Sequence, residues 1–128
     1  DSARGVDAGN IGRREGAFTE MSELGDKRKL FTKCLVKLLQ VMLEAGYEPM
    51  IGKDGLKHMA NSLHFDGLAV DIDLTKNGEY LPRTEDHEFF GRYWEGLDAD
   101  CYWGGNGPKQ DGLKNDGNHY SVTMGGRK

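Results

Sequence analysis

Two stretches of the chain carry the spacing of apolar residues that is typical of amphipathic helices. Over residues 26–45, apolar side chains recur at steps of three and four, and Gly46 is a natural stop. The second stretch covers residues 85–97, with Thr84 as the candidate N-cap. Its apolar face is aromatic and predicts a core contact through Phe89, Phe90, Tyr93, Trp94 and Leu97. We expect His87, in the first turn, to be partly exposed.

Residues 68–74 alternate strictly between large apolar side chains and other residues, which predicts a strand with one buried face. The buried face would carry Leu68, Val70, Ile72 and Leu74. The opposite face carries Ala69 and two carboxylates, Asp71 and Asp73. This strand therefore offers acidic groups to any cleft that its open face lines.

Three further segments complete the predicted sheet. Residues 119–124 alternate again, with Tyr120 on the apolar side and His119 on the polar side. The dipeptide at 77–78, Asn-Gly, signals a hairpin turn into a short strand at 79–81. Residues 47–51 are predicted to form an edge strand, because the proline within them removes a ladder donor.

The remaining segments lack a clear periodic pattern. Residues 1–23 are polar and show no clean period, which predicts an irregular or weakly helical segment, so we assign residues 1–25 to an N-terminal arm of uncertain structure and residues 26–128 to one domain. Loops are expected at 52–63 and, because of its glycines, at 103–117. Together the elements predict an α+β fold in which a small antiparallel sheet has helices on one face and a cleft on the other.

Composition excludes several classes of function. The chain has 128 residues and a net charge of −4, and its basic residues are scattered, so no nucleic-acid partner is expected. No run approaches the ~20 apolar residues of a membrane span, and no signal peptide is visible, so we expect a monomer made in a cytoplasm without membrane insertion. Cys34 and Cys101 form no CxxC pair and are expected to be reduced and structural, although sequence alone does not exclude a disulfide.

Two histidines and one carboxylate can converge on the polar side of the predicted sheet. Asp71 and His119 both point away from the apolar faces of their strands, so they emerge together if the two strands share one antiparallel sheet. His64 lies in the loop that leads into the first of these strands. Two histidines and a carboxylate with one open position form a common catalytic zinc set. Asp116, three residues before His119, is close enough to act as general base and later as proton donor to a leaving amine.

The spacing of these residues is weak evidence by itself, and the longer sequence segments around them are more diagnostic. Residues 61–72 are NSLHFDGLAVDI and residues 116–121 are DGNHYS. They resemble the D-Ala-D-Ala metallopeptidase group, the VanY-like branch of a superfamily that also includes lysostaphin-type enzymes and the hedgehog signalling domain. The pattern of that group is Ser-x-His-x-x-Gly-x-Ala-x-Asp, then an acidic residue three before a final His. This chain fills every one of those positions.

Segments between the two motifs extend the resemblance to phage-encoded L-alanyl-D-glutamate endopeptidases. They are DLTKNGEYL at 73–81, TED at 84–86, GRYW at 91–94 and WGG at 103–105. The resemblance covers residues 27–128, most of the chain. Carried over by position, it implies zinc on His64, Asp71 and His119, with Asp116 catalytic.

The resemblance implies a zinc-dependent phage lysin that hydrolyses an amide of the peptidoglycan stem peptide, with the L-Ala–D-Glu bond favoured. Lacking a signal peptide, such an enzyme would reach the wall only after another protein had permeabilised the membrane.

Two alternatives stay open. One is a D,D-carboxypeptidase or dipeptidase acting on D-Ala-D-Ala, and the other is a non-catalytic binding module that contains zinc.

The chain departs from this group in one respect. Many relatives carry an arginine upstream of the Ser-x-His motif, and none occurs here between Gly46 and Ser62. Lys57 or Lys53 can supply positive charge to a developing oxyanion, but without the planar fork of arginine. We assign Ser62, Lys57 and Trp103 as candidate substrate-binding residues, with the alternatives that Ser62 closes a local turn and that Trp103 packs in the core.

Overall fold

The computed structural model describes residues 15–52, 63, 66–106 and 116–128 of the chain. In chain order the elements are helix α1 (Glu15–Glu44), strands β1 (Glu48–Ile51), β2 (Ala69–Lys76) and β3 (Glu79–Leu81), a first 3₁₀ turn (Thr84–His87), helix α2 (Glu88–Leu97), strand β4 (Cys101–Trp103), a second 3₁₀ turn (Gly104–Asn106) and strand β5 (His119–Val122).

Strand β2 is the centre of an antiparallel sheet with the order β1-β2-β5-β4. It bonds to β1 along residues 72–75 and to β5 along residues 69–71. The short β3 pairs with the far end of β2, at residues 74–76. Because three strands depend on β2, its register fixes the relative placement of nearly every described strand.

Both helices pack on one face of the sheet, as predicted. The contact between them is made by Phe31 of α1 and Trp94 of α2, whose rings meet edge to face with centroids 5.8 Å apart. The apolar residues of β2 are buried beneath them: Val70, Ile72 and Leu74, together with Leu68 just before the strand. The α+β class, with a small open sheet and two described helices, is therefore confirmed.

Helix α1 begins earlier than predicted, at Glu15 rather than at residue 26. Residues 15–25 are helical, which is one of the two forms expected for this segment, and the boundary placed at 25/26 falls inside a continuous helix. Their composition explains why the start of the helix was missed, since glutamate, alanine, methionine and leucine favour helix without an apolar period. Lys27, just after this segment, ties α1 to the rest of the domain, with Nζ 2.6 Å from Oδ2 of Asp100 and 3.0 Å from the carbonyl of Thr123. None of the described helices combines the length and apolar character needed to cross a membrane.

The start of the second helical segment also differs from expectation. A 3₁₀ turn precedes α2, and its N-cap is Arg83 rather than Thr84. The backbone N–H of Arg83 donates to the carboxylate of Asp86 at 3.0 Å. His87 is buried, at 2% exposure, so the prediction that it is partly exposed was wrong. Phe89 is 69% exposed and does not join the core, because its neighbour Phe90 takes the position that faces the sheet.

The strands follow the predicted alternation with shifted ends. The 68–74 strand is found at Ala69–Lys76, the 79–81 strand as predicted, and the 119–124 strand ends earlier, at Val122. The loop predicted from residue 103 was wrong at its start, because Trp103 ends a strand and 104–106 form a 3₁₀ turn. A strand of three residues is too short to carry a periodic signal.

Two free thiols lie where α1 meets β4. Cys34 and Cys101 are both buried, and the thiol of Cys101 donates to Sγ of Cys34 at 3.7 Å. Burial raises the pKa of Cys101, and the neighbouring Cys34 raises it further. The thiol of Cys101 therefore remains protonated, and both buried cysteines serve as small apolar core residues.

Candidate metal centre

Asp71 of β2 and His119 of β5 are direct partners across the sheet. Opposed residues of an antiparallel pair project to the same face, which here is the face opposite the helices. Nδ1 of His119 lies 3.5 Å from Oδ1 of Asp71. Both side chains are largely shielded, with 22% exposure for Asp71 and 12% for His119. The alternation seen in the sequence thus places an imidazole against a carboxylate.

Asp116 joins this pair from the turn that leads into β5. The backbone N–H of His119 donates to the carbonyl of Asp116 at 3.1 Å, which closes the turn between them. One ligand atom each of Asp71, Asp116 and His119 can be chosen so that all lie within 4.8 Å of one another. Asp116 is the exposed member of the three, so its carboxylate faces the solvent side of the group.

The donor set of this group fits a divalent cation. A carboxylate and a neutral imidazole are ligands that zinc accepts, and two carboxylates offset the charge of such an ion. Acidic clusters are common on protein surfaces, so the partial burial of Asp71 and His119 is the more informative feature. A buried charge costs free energy unless a counter-charge is close, and a cation would provide one.

The second carboxylate of β2, Asp73, lies on the same face as Asp71. The side-chain amide of Asn118 donates to Oδ1 of Asp73 at 3.5 Å. The carbonyl of Asn118 accepts from the backbone N–H of Ile72 at 2.8 Å. Asn118 therefore ties the turn before β5 to β2 through both its side chain and its backbone.

Tyr102 of β4 forms one wall beside His119. The two rings meet at 63° with centroids 6.3 Å apart, and Nζ of Lys128 lies 5.2 Å from the centre of the phenol ring. Burial raises the pKa of Tyr102, and the charges of Glu95 and Asp116 raise it further. The phenol therefore keeps its proton and can donate a hydrogen bond near the candidate centre.

Sequence reasoning missed Tyr102 as a neighbour of the site. Its position follows from the register, since Tyr102 pairs with Ser121 and Ser121 shares a face with His119. The alternation of Cys101, Tyr102 and Trp103 puts Tyr102 on the polar face, but this matters for the site only because the segment is a strand paired with β5.

The predicted site residues fall into three groups. Asp71, Asp116 and His119 are brought together. The predicted third ligand His64 lies outside the described residues, as do Ser62, Lys57 and Lys53, so these assignments stay predictions.

Trp103 forms the third group by itself. It is 2% exposed, so its ring offers almost no surface to a substrate, contrary to the assignment as a substrate-binding residue. Its indole N–H instead donates to the carbonyl of Gly117 at 2.6 Å. The core position, which the sequence left open, is the one that the ring occupies.

No protein-family model, curated protein or solved structure matches this chain.

Proposed function

We propose that this chain is a zinc-dependent peptidoglycan peptidase that hydrolyses an amide bond of the cell-wall stem peptide. The observation that carries the proposal is the meeting of Asp71, Asp116 and His119 within 4.8 Å, which brings β2 together with a turn that lies far from it in the sequence. The resemblance of residues 61–72 and 116–121 to D-Ala-D-Ala metallopeptidases favours this class, and that of the intervening segments favours the L-Ala–D-Glu bond.

The proposal assigns zinc to Asp71, His119 and His64. When bound, zinc supplies Lewis acidity that polarises the scissile carbonyl and makes water a better nucleophile at neutral pH. The contact of Asp71 with Nδ1 of His119 limits the orientations that the imidazole can adopt. Cleavage would occur on the open face of the sheet, beside the acidic edge of β2.

Asp116 acts as the general base in this proposal. Its carboxylate accepts the proton of the attacking water and then passes that proton to the nitrogen of the leaving amine. Its exposure suits this role, because the group must meet water and substrate as well as the other two side chains. In the same proposal Tyr102, whose ring contacts that of His119 and which keeps its proton, donates a hydrogen bond to bound peptide.

The decisive experiment separates metal binding from turnover. Purified protein is assayed for zinc content and for lysis of bacterial cell walls, with and without a chelator, for the wild type, Asp116→Asn and His119→Ala. We expect Asp116→Asn to retain zinc and lose activity by about 10²–10⁴-fold, the usual contribution of a general base. We expect His119→Ala to lose both zinc and activity.

A matched control is Asp26→Asn, which removes one exposed carboxylate on α1 and should leave lysis unchanged. Full activity in Asp116→Asn, or wall lysis that survives complete removal of metal, would contradict the proposal. Mass spectrometry of the digested muropeptides identifies the bond. Release of intact stem peptides supports the endopeptidase, whereas release of free D-Ala supports the carboxypeptidase alternative.

A further inference from the structure

The turn that carries both Asp116 and His119 is held from inside the core by Trp103. The indole N–H of Trp103 donates to the carbonyl of Gly117 at 2.6 Å, and this bond is buried. Gly117 directly follows Asp116 and stands two residues before His119. The hydrogen bond therefore anchors the backbone between the two functional side chains.

The same turn also lies close to two other segments of the chain, one at Gly104 and one at Thr84. The backbone N–H of Asp116 donates to the carbonyl of Gly104 at 3.4 Å. A side chain at Gly104 would overlap the carbonyl of Asp116 and come within 2.9 Å of Cβ of His119. A side chain at Gly117 would come within 2.9 Å of Cβ of Thr84, so the turn also rests on the first 3₁₀ turn.

The indole ring is itself fixed in place. A methyl group at Gly91 or at Gly105 would overlap the ring, so backbone approaches it closely from two directions. The backbone N–H of Trp103 donates to Oε2 of Glu95 at 3.1 Å, which links the end of β4 to α2. Because the ring cannot turn, the direction of its N–H is set by the fold.

We infer that Trp103 is a positioning residue for the proposed metal centre. It acts through the carbonyl of Gly117 to set the separation between the carboxylate of Asp116 and the imidazole of His119. This inference rests on the proposed function, since the positioned groups are those assigned to the metal and to the proton transfer. Groups that orient metal ligands typically change metal affinity 10–100-fold when they are removed.

The chain offers a matched control in its other tryptophan. The indole N–H of Trp94 donates to the carbonyl of Ser121 at 3.0 Å, and this bond too is buried. Ser121 lies two residues after His119, inside β5, where pairing with Ala69 and Tyr102 holds the backbone without help from Trp94. Phenylalanine at either position removes the same type of hydrogen bond from the same core.

The experiment compares Trp103→Phe with Trp94→Phe in the full chain. Zinc affinity is measured by competition with a chromophoric chelator, and stability by urea unfolding of the metal-free protein. Hydrogen exchange of the His119 amide, which is bonded to Asp116, is followed by NMR in the metal-free state. We expect both variants to be less stable. Only Trp103→Phe should weaken zinc binding about 10–100-fold and accelerate exchange at His119 relative to the core amides.

Equal changes in zinc affinity and in His119 exchange for the two variants would overturn the inference, because a merely structural role predicts them. If the wild type binds no zinc, the proposed function fails, while the exchange comparison still tests the anchoring of the turn. Gly104→Ala provides a second variant should Trp103→Phe not fold, since a methyl group there displaces the same turn by overlapping the carbonyl of Asp116 and crowding Cβ of His119. It is expected to weaken zinc binding relative to Gly96→Ala, which meets no neighbouring atom.

Discussion

His87 is a histidine that the folded protein keeps neutral. Burial lowers its pKa to about 4, and the nearby charges of Asp86 and Asp73 only partly oppose this effect. Its Nδ1 lies 2.8 Å from the hydroxyl of Tyr120, inside the core. A neutral ring can accept a hydrogen bond from that hydroxyl, whereas a ring protonated on both nitrogens cannot.

This burial predicts a loss of stability in mild acid. The folded pKa of His87 lies below the value of 6.5 for an unperturbed histidine. The contribution is therefore full above pH 6.5 and declines as pH falls towards 4, because only the unfolded chain binds the proton in that range. The expected loss is roughly 3 kcal/mol, at about 1.4 kcal/mol for each unit of pKa.

The measurement is urea unfolding of metal-free protein between pH 7.5 and pH 4, for the wild type and for His87→Gln. Glutamine can hydrogen-bond to Tyr120 but does not titrate. The wild type should therefore lose stability relative to His87→Gln as pH falls. A difference that stays constant over this range would show that His87 does not titrate as described.

The burial of His87 could not be predicted from the local sequence. The spacing placed it in a first helical turn, where side chains are usually exposed, but its partner Tyr120 is 33 residues away in the chain. The burial of Tyr120, by contrast, followed from alternation within one strand. Contacts inside an element are encoded locally, and contacts between elements appear only once those elements are packed.

At the scale of elements, the packing of α2 against β4 depends on one residue without a side chain. Gly91 faces the indole ring of Trp103, and a methyl group there would overlap it. Gly96 lies on the same helix, and a methyl group there would meet no atom within 4 Å. Alanine would raise the helix propensity at both positions, but only at Gly91 would its methyl group disturb the packing.

Alanine substitutions should separate these two roles. Gly96→Ala is expected to stabilise the protein by about 0.5–1 kcal/mol, the gain in helix propensity. Gly91→Ala is expected to destabilise it by about 1–3 kcal/mol, because Trp103 or α2 must move. Chemical denaturation of both variants checks this, and a stabilised Gly91→Ala would show that α2 does not approach β4 as closely as described.

The elements differ in how far the sequence predicted them. Strand β2 was predictable because the alternation over residues 68–74 specifies both its existence and its faces. Strand β4 was not, because Cys101–Trp103 is short and a glycine-rich segment follows it. The start of α1 was missed because residues 15–25 lack an apolar period. The positions of Asp71 and His119 on the polar faces of their strands were therefore predictable, whereas the register that pairs them, the position of Tyr102 and the anchoring role of Trp103 were not.

At the scale of the whole molecule, the proposed centre joins two strands of the sheet and the turn between β4 and β5. Asp71 belongs to the central strand, His119 to β5 and Asp116 to the turn before it. A metal held by these groups in the folded state alone would stabilise that state by mass action.

We therefore expect zinc to raise the thermal stability of the protein. At a free zinc concentration of about 100 times Kd, the expected gain is about 2.7 kcal/mol, which corresponds to roughly 10 °C in Tm for a chain of this size. Differential scanning calorimetry with added zinc or with chelator measures the shift. His119→Ala should show almost none, and an equal shift in that variant would place the responsible ions elsewhere on the protein.

The alternation along β2 has a consequence for misfolding. A slip of β2 by one residue against its neighbours would turn Asp71 and Asp73 inward and present Ile72 and Leu74 to water. Each large apolar side chain exposed in this way forfeits about 1.5–3 kcal/mol, in addition to the cost of the buried acids. Any slip that moves the two carboxylates away from the open face also removes the apolar side chains from the core. The packing of the core therefore disfavours folded molecules in which the proposed site is misplaced.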